Sequence, residues 1–590
     1  MDSEEFAGTR MHKWLRPRYR QGQIFYNGVK NLMKKSKNRP YYTPLIFLVI
    51  KCYAERFHLV EYINSQIEWD EKQWKISPGI LGLILVYVCF LSEDGRIPLY
   101  KIPDKLHGLD LFLLLNEPLH PDDFSDDQFA TLLERLGEIG HQKLLSEIIS
   151  QVYTLFDMPK SYDLHSDTTS HIMYGAYEVC DIEGFNDLVI TWGHSKDRRP
   201  DRKQTKTGLV VDGNGVLRQV RVLDGNESDS TWNADSIQEL KKQLGDETEL
   251  NIYIADSKLV SLPNFRKINE GDKVLKFISL VPANFYKKIS AKIRKEAYES
   301  DSWENVGKCC ENENFKDRSE YALIGFTEEI EGKIYRLIAV KSTLTVKNVE
   351  YKVQTEKRDL IILAEKAFSE HFKCLPDAEA AVKKFQKTKR TALFQIAFEI
   401  VPIEKEKKFR GRKPKAGRAK EFITEYEVVI KEVIPNNARI EALKQKEGSF
   451  VLITNVPEEE LTDRDVLIKY KKQGIVERSF SRLKRPMMAD TIFLKTPKRV
   501  EALLAFVYIA LMFQSIMQAI ARYRASKIPN LPKIKYAKRK LENPTYELLA
   551  YLLGPFVLIS AEKSIEISCN VPEIEEHLDL FLYLIDAQDC

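Results

Sequence analysis

Apolar positions fall into three regimes along the chain. From about Tyr41 to Met158 they form helix-period clusters, PLIFLVIKCYAERF, GILGLILVYVCFL, FATLLERLGEIG and LLSEIISQVYTLF, separated by Pro, Gly and Asp-rich turns. This predicts an all-α domain, with Ser125-Asp126-Asp127-Gln128 as a capped helix start rather than a metal site. From Tyr162 the period shortens to two. Residues 208–224, GLVVDGNGVLRQVRVLD, predict two strands around the positive-φ turn Asp212-Gly213-Asn214-Gly215, followed by a helix over Ala234–Leu244 and a strand over Leu250–Ala255. Strand, hairpin, helix, strand is the order of an RNase H-like α/β core, although other α/β folds share it. Between Pro282 and Gly448 strands and helices mix, and a helical pattern returns near Tyr470.

That last pattern carries the first candidate chemistry. In YKKQGIVERSFSRLK, a continuous helix places Tyr470, Gln473, Glu477 and Lys484 at about 0°, 300°, 340° and 320°. They share a face, with Val476, Phe480 and Leu483 beside it as a buried edge and Lys471, Arg478 and Arg482 roughly opposite. Two further carboxylates stand out. Asp167, in LHSDTTSHIMYG, is followed by small hydroxylated residues that leave room for an ion, and Asp256 ends the apolar strand LNIYIAD. Both are expected at strand ends, the edge where open α/β sheets bind ligands. With 86 acidic residues the choice has competitors: Asp163, Asp181 and Asp197 near the first position, and Asp224, Asp229 and Glu247, less attractive in turns or near a helix end.

These segments resemble the DDE transposases of bacterial insertion sequences. The helix has the spacing of the Tyr-x-x-Arg-x-x-x-Glu-x-x-x-x-x-x-Lys signature of one branch, with Gln473 in the Arg position. The resemblance extends through the DTTS segment, GHSKDRRPDRKQTKTGLVVDGNGV, ADSKLVS with FISLVP after it, and GSFVLITN. GRIPLYKI and the acidic turn before ATLLERLGEIG resemble the N-terminal domain of one such lineage. The resemblance implies that Asp167, Asp256 and Glu477 are a catalytic triad holding two Mg²⁺ ions, replaceable by Mn²⁺, and that Tyr470, Lys484 and Gln473 contact the DNA backbone. It implies a homodimer on double-stranded transposon ends and target, cleaving at terminal inverted repeats and joining the 3′ ends. Because an Arg would clamp phosphate bidentately and Gln473 cannot, formation of a hairpin intermediate stays open. A metal-dependent nuclease on the same core and a domesticated, non-catalytic DNA-binding protein are the alternatives.

Length and charge complete the expectation. A chain of 590 residues exceeds one core. The expected divisions are a basic arm (1–40), a helical DNA-end-binding domain (41–158), the RNase H-like mixed-sheet core in two parts (159–285 and 448–526), a large α+β insertion domain (286–447) and a C-terminal region (527–590). The insertion is required because Glu477 lies about 220 residues beyond Asp256. The net charge of +4 is undiagnostic, but cations concentrate locally: in the arm, in the loop with Lys196, Arg198, Arg199, Arg202 and Lys203, and in KKFRGRKPKAGRAK (407–420) with Arg410, Arg412 and Lys413. Phosphate contact is expected there, against solvation or, for the RGRKP stretch, minor-groove insertion. Eight cysteines without Cys-x-x-Cys spacing argue against a disulfide framework or zinc site, and the start of the chain lacks a secretory signal, so a cytoplasmic protein is expected, which the resemblance implies to be prokaryotic and nucleoid-associated. Val500–Ala521 is nearly long enough to cross a bilayer but carries Glu501, Gln514 and Gln518, which predicts a buried core helix and no membrane partner.

Overall fold

The computed structural model describes residues 40–588 apart from 92–96, 178–187, 310–318, 389–392, 408–420, 486–487, 490–491, 493, 535–540 and 562–563. The chain forms two compact units, one of Met1–Gly245 with Gln473–Cys590, the other Asp246–Lys472. The architecture is mixed α/β with a helical N-terminal region, as the sequence predicts.

The first unit opens with strand β1 (Tyr41–Pro44) and helices that include Leu45–Arg56, the wholly buried Pro78–Val88, and the amphipathic Asp126–Ile139 and His141–Leu155. Ser125 begins the third of these through a capping box with Gln128. Next come β2 (Asp163–Met173), β3 (Lys203–Asp212) and β4 (Leu217–Leu223), antiparallel in the order β4-β3-β2. The turn between β3 and β4 closes as predicted: Gly215 has φ +85°, and the Asp212 carboxylate accepts from the N–H groups of Asn214 and Val216 at 3.0 and 3.1 Å. Helix α1 (Asp229–Leu244) starts five residues earlier than the apolar pattern indicates, because Ser228 caps it by accepting from Thr231 N–H.

The second unit holds β5 (Ile252–Ala255), β6 (Lys276–Leu280), β7 (Glu304–Lys308), β8 (Glu320–Ile330) and β9 (Lys333–Ser342). It continues with the long hairpin β10 (Phe394–Glu406) and β11 (Phe422–Pro435), then β12 (Ser449–Thr454) and helix α2 (Asp463–Lys471). Its sheet runs β5-β6-β12-β9-β8-β7, parallel between β5 and β6 and antiparallel elsewhere.

The chain then re-enters the first unit with α3 (Gly474–Leu483), α4 (Pro497–Lys527) and α5 (Tyr546–Leu553), and β13 (Phe556–Ala561) pairs with both β1 and β14 (Ser564–Cys569). Helix α4 is apolar enough to cross a membrane, yet its apolar window is wholly buried within its unit, where it packs on the N-terminal helices, β4, α3 and α5. Among the described cysteines, Cys52 is disulfide-bonded, which the cysteine spacing did not announce.

Candidate active site

Two expectations about the site's backbone need correction. Asp167 is the fifth of eleven residues in β2, not a strand end, because β2 pairs with β3 without a break from Leu164 opposite Asp212 to Met173 opposite Lys203. Asp256 does directly follow β5, with its carboxylate accepting from Lys258 N–H at 2.9 Å. The second correction concerns the YKKQGIVERSFSRLK segment, which is two helices. Lys472 and Gln473 form a turn between α2 and α3, where Gly474 lowers the helical preference. Tyr470 therefore belongs to the last turn of α2 in the second unit, and Glu477 to the first turn of α3 in the first.

In the first unit, Val476, Phe480 and Leu483 join the core and α3 packs against β2 and β3, as the apolar edge predicts. Glu477 is left exposed, where its negative charge suits the N-terminal end of the helix dipole. Around Asp167 the side chains interlock. Its Oδ1 accepts from Thr168 N–H at 2.7 Å and from Lys196 Nζ at 3.0 Å. Lys196 Nζ also donates to the Thr168 carbonyl at 2.7 Å and stands 3.6 Å from Asp229, whose other oxygen accepts from Thr168 Oγ1 at 2.7 Å. The next residue, Asp197, pairs with Lys484 Nζ at 2.5 Å just beyond α3. A single dipeptide thus ties the β2 carboxylate to Lys484.

Behind this surface, Trp232 on α1 is fully buried and donates Nε1–H to Ser166 Oγ at 3.0 Å, steadying the strand one residue before Asp167. In the second unit, α2 packs on β5 and β6, and Tyr470 lies against the cluster containing Ile252 and Ile254, on the strand that leads to Asp256.

The sequence matches the family described as "Transposase DDE domain" over residues 188–513, which is more than half of the chain. The chain belongs to the DDE transposases. It is accordingly an enzyme that cuts and transfers DNA, of a family that uses divalent metal ions. Asp256, Tyr470, Gln473, Glu477 and Lys484 lie inside the matched stretch, and Asp167 precedes it. Residues 46–150 match the "Domain of unknown function (DUF4277)". No curated protein matches the chain. Among solved structures, a piggyBac transposase synaptic complex with hairpin DNA, determined by cryo-EM, aligns at 12% identity over 86% of this chain and 82% of that one, with a TM-score of 0.36.

Two acidic groups of the transposase went unrecognised in its sequence: Asp229, passed over as a turn residue, and Asp197, considered only as a rival of Asp167. The signal for Asp229 was Ser228 before it, which marks a helix start aimed at the strands. Among the described residues, no three His, Cys, Asp or Glu side chains stand together as ligands of an ion. The donor chemistry nevertheless fits a hard divalent cation, since a carboxylate and a carbonyl oxygen already converge on a positive charge, the Lys196 ammonium.

The cationic loop is largely committed to its own neighbours. Arg199 makes a two-pronged contact with Asp201 at 2.8 Å, Arg202 lies over the Tyr174 ring at 5.3 Å, and Lys203 lies over the exposed Trp192 ring at 4.8 Å and donates to the Tyr177 carbonyl. Arg198 is exposed. Arg410, Arg412, Lys413 and the basic arm lie outside the described residues.

Proposed function

We propose that this transposase binds the terminal inverted repeats of an insertion sequence, cleaves at the element ends and joins the 3′ ends to target DNA. Asp167, Asp256 and Glu477 act as the carboxylates that hold two Mg²⁺ ions, for which Mn²⁺ substitutes. Bound there, the ions supply Lewis acidity for the attacking hydroxyl and the leaving oxygen of an in-line displacement at phosphorus.

The chain's own residues bind and orient. Thr168 N–H fixes the Asp167 carboxylate, and Lys196 stands ready to contact a phosphate oxygen once it leaves that carboxylate. Lys484, released from Asp197, and Tyr470 grip the backbone of the strand, with Gln473 adding a neutral contact. Arg198, Arg199, Arg202 and Lys203 extend the grip, as do Arg410, Arg412 and Lys413. The helical region 41–158 reads the end sequence, and two protomers bring two ends together in the cytoplasm. The observation that carries this reading is the double tether from Lys196 to Asp167 and from Asp197 to Lys484, which gathers a strand carboxylate and the signature lysine about the helix bearing Glu477.

The test is a joining reaction with Mg²⁺, a labelled duplex ending in the element's own terminal repeat, and a supercoiled plasmid. Wild-type protein should insert the end, while Asp256→Ala and Glu477→Gln should bind it normally. Both should lose joining by more than the roughly 10–100-fold typical of losing an outer-shell partner of a metal. Cleavage without joining would mean a nuclease, and binding without either would mean a silent DNA-binding derivative.

A further inference from the structure

One residue past Glu477, about 100° round α3, begins a concentration of guanidinium groups outside the proposed triad. Arg482, whose side chain is only 4% exposed, donates Nε–H to Glu547 at 2.9 Å and also bonds Gln518. Arg485 donates to the same Glu547 oxygen at 2.9 Å. From α4, Arg522 donates Nε–H to the Pro544 carbonyl at 2.9 Å. Arg478 folds back along the helix, so that its Nη1 lies 3.7 Å from where a Cβ on Gly474 would stand. Gly474 leaves that first turn bare, and the guanidinium covers it.

The charges in this cluster do not balance. Four arginines share Glu547 and, through Arg478, the neighbouring Glu477. Burial and the repulsion of its arginine neighbours push Arg522 down to about 10, while Arg482 and Arg485 hold Glu547 at about 2 against a burial that would raise it. Partly desolvated cations in excess are costly unless an anion joins them, and the planar fork of Arg suits phosphate oxygens. Glu547 and Arg485 are 37% and 36% exposed, so the cluster opens to solvent on that side.

We propose that Arg478, Arg485 and Arg522, backed by the Arg482–Glu547 pair, form a phosphate-binding site beside Glu477 that takes a backbone phosphodiester of bound DNA. The proposal rests on the active-site reading of Glu477. A free phosphate offers the same oxygens, and the experiment separates the two sources.

The slope of log affinity against log salt is measured for duplex DNA with wild type, Arg478→Gln, Arg478→Lys and the Arg478→Gln/Arg522→Gln double variant, and melting is followed with and without millimolar inorganic phosphate. Among the described residues Arg478 makes no hydrogen bond that Gln would break, and an unchanged melting temperature is the check on this. The expected result is a slope shallower by about 0.9 in the single Gln variant and about 1.8 in the double, with Arg478→Lys keeping the wild-type slope at lower affinity. Stabilisation by inorganic phosphate that the double variant loses, with DNA slopes unchanged, would uphold the anion site and assign it to free phosphate. Unchanged slopes and no response to phosphate would overturn the proposal. Failure of the active-site reading shows separately, as full joining by Glu477→Gln.

Discussion

Lys196 and Asp197 illustrate how much of a site depends on single charges. As a sequence, SKDRR reads as a basic loop, and only the fold reveals that its first two charges bond in opposite senses, the lysine to Asp167 and the aspartate to Lys484. Residue types were legible, whereas partners were not, because ion pairing depends on which strands and helices meet. Protonation shows the same limit. His141 and His171 are buried and pushed down to about 4, although Glu501 stands 3.6 Å from the His141 ring, because desolvation outweighs that carboxylate. Each therefore stabilises the folded state fully above its ordinary value of 6.5 and loses that contribution as the pH falls toward 4, about 3 kcal/mol apiece. Buried Asp212 has the opposite sign: pushed up from 3.8 to about 6, it regains about 3 kcal/mol over nearly the same interval as it protonates. Two histidines against one aspartate leave a net loss of about 3 kcal/mol between pH 7 and 4. Denaturant melts across this range should show it, and His141→Leu should leave stability nearly level. A wild-type stability that does not fall would mean that these rings are already charged at neutral pH.

At the scale of elements, pattern and structure agree where one period dominates and part where a break is local. The β3–β4 turn and the Ser125 helix start follow from short-range hydrogen bonds that the sequence spells out. The break at Lys472–Gln473 did not show in the pattern, because periodicity scores apolar spacing and the two flanking helices keep nearly the same spacing. A glycine is more informative at 208. A Cβ there would stand 2.6 Å from the buried Trp232 ring, so the strand approaches α1 closely only because residue 208 has no side chain. Gly208→Ala should cost about 1–3 kcal/mol through overpacking. It should also lower joining, since Trp232 holds Ser166 beside Asp167. Equilibrium unfolding and the joining reaction check both, and wild-type stability in the variant would show that the ring has room to yield.

For the molecule as a whole, chain order gave more than chain distance. The sequence anticipates a helical start, a strand-rich core and a buried rather than membrane-spanning α4, and each is present. It did not anticipate that β13, more than 500 residues downstream, would pair with β1, since strand pairing at that separation leaves no local trace. Charge is legible at this scale only as clusters. The segment 407–420 carries eight Lys and Arg residues in fourteen, a density that self-repels unless phosphate neutralises it. If every one meets a DNA phosphate, deleting the segment should flatten the log affinity against log salt plot by up to about 7, at roughly 0.9 per phosphate. A few contacts would give a proportionately smaller change. Because the carboxylates of the proposed triad stay in place, joining at low salt should survive the deletion and fail first as salt is raised. An unchanged slope would make the segment a solvated loop and leave the grip on DNA to the residues around Asp167, Glu477 and the Arg482 cluster.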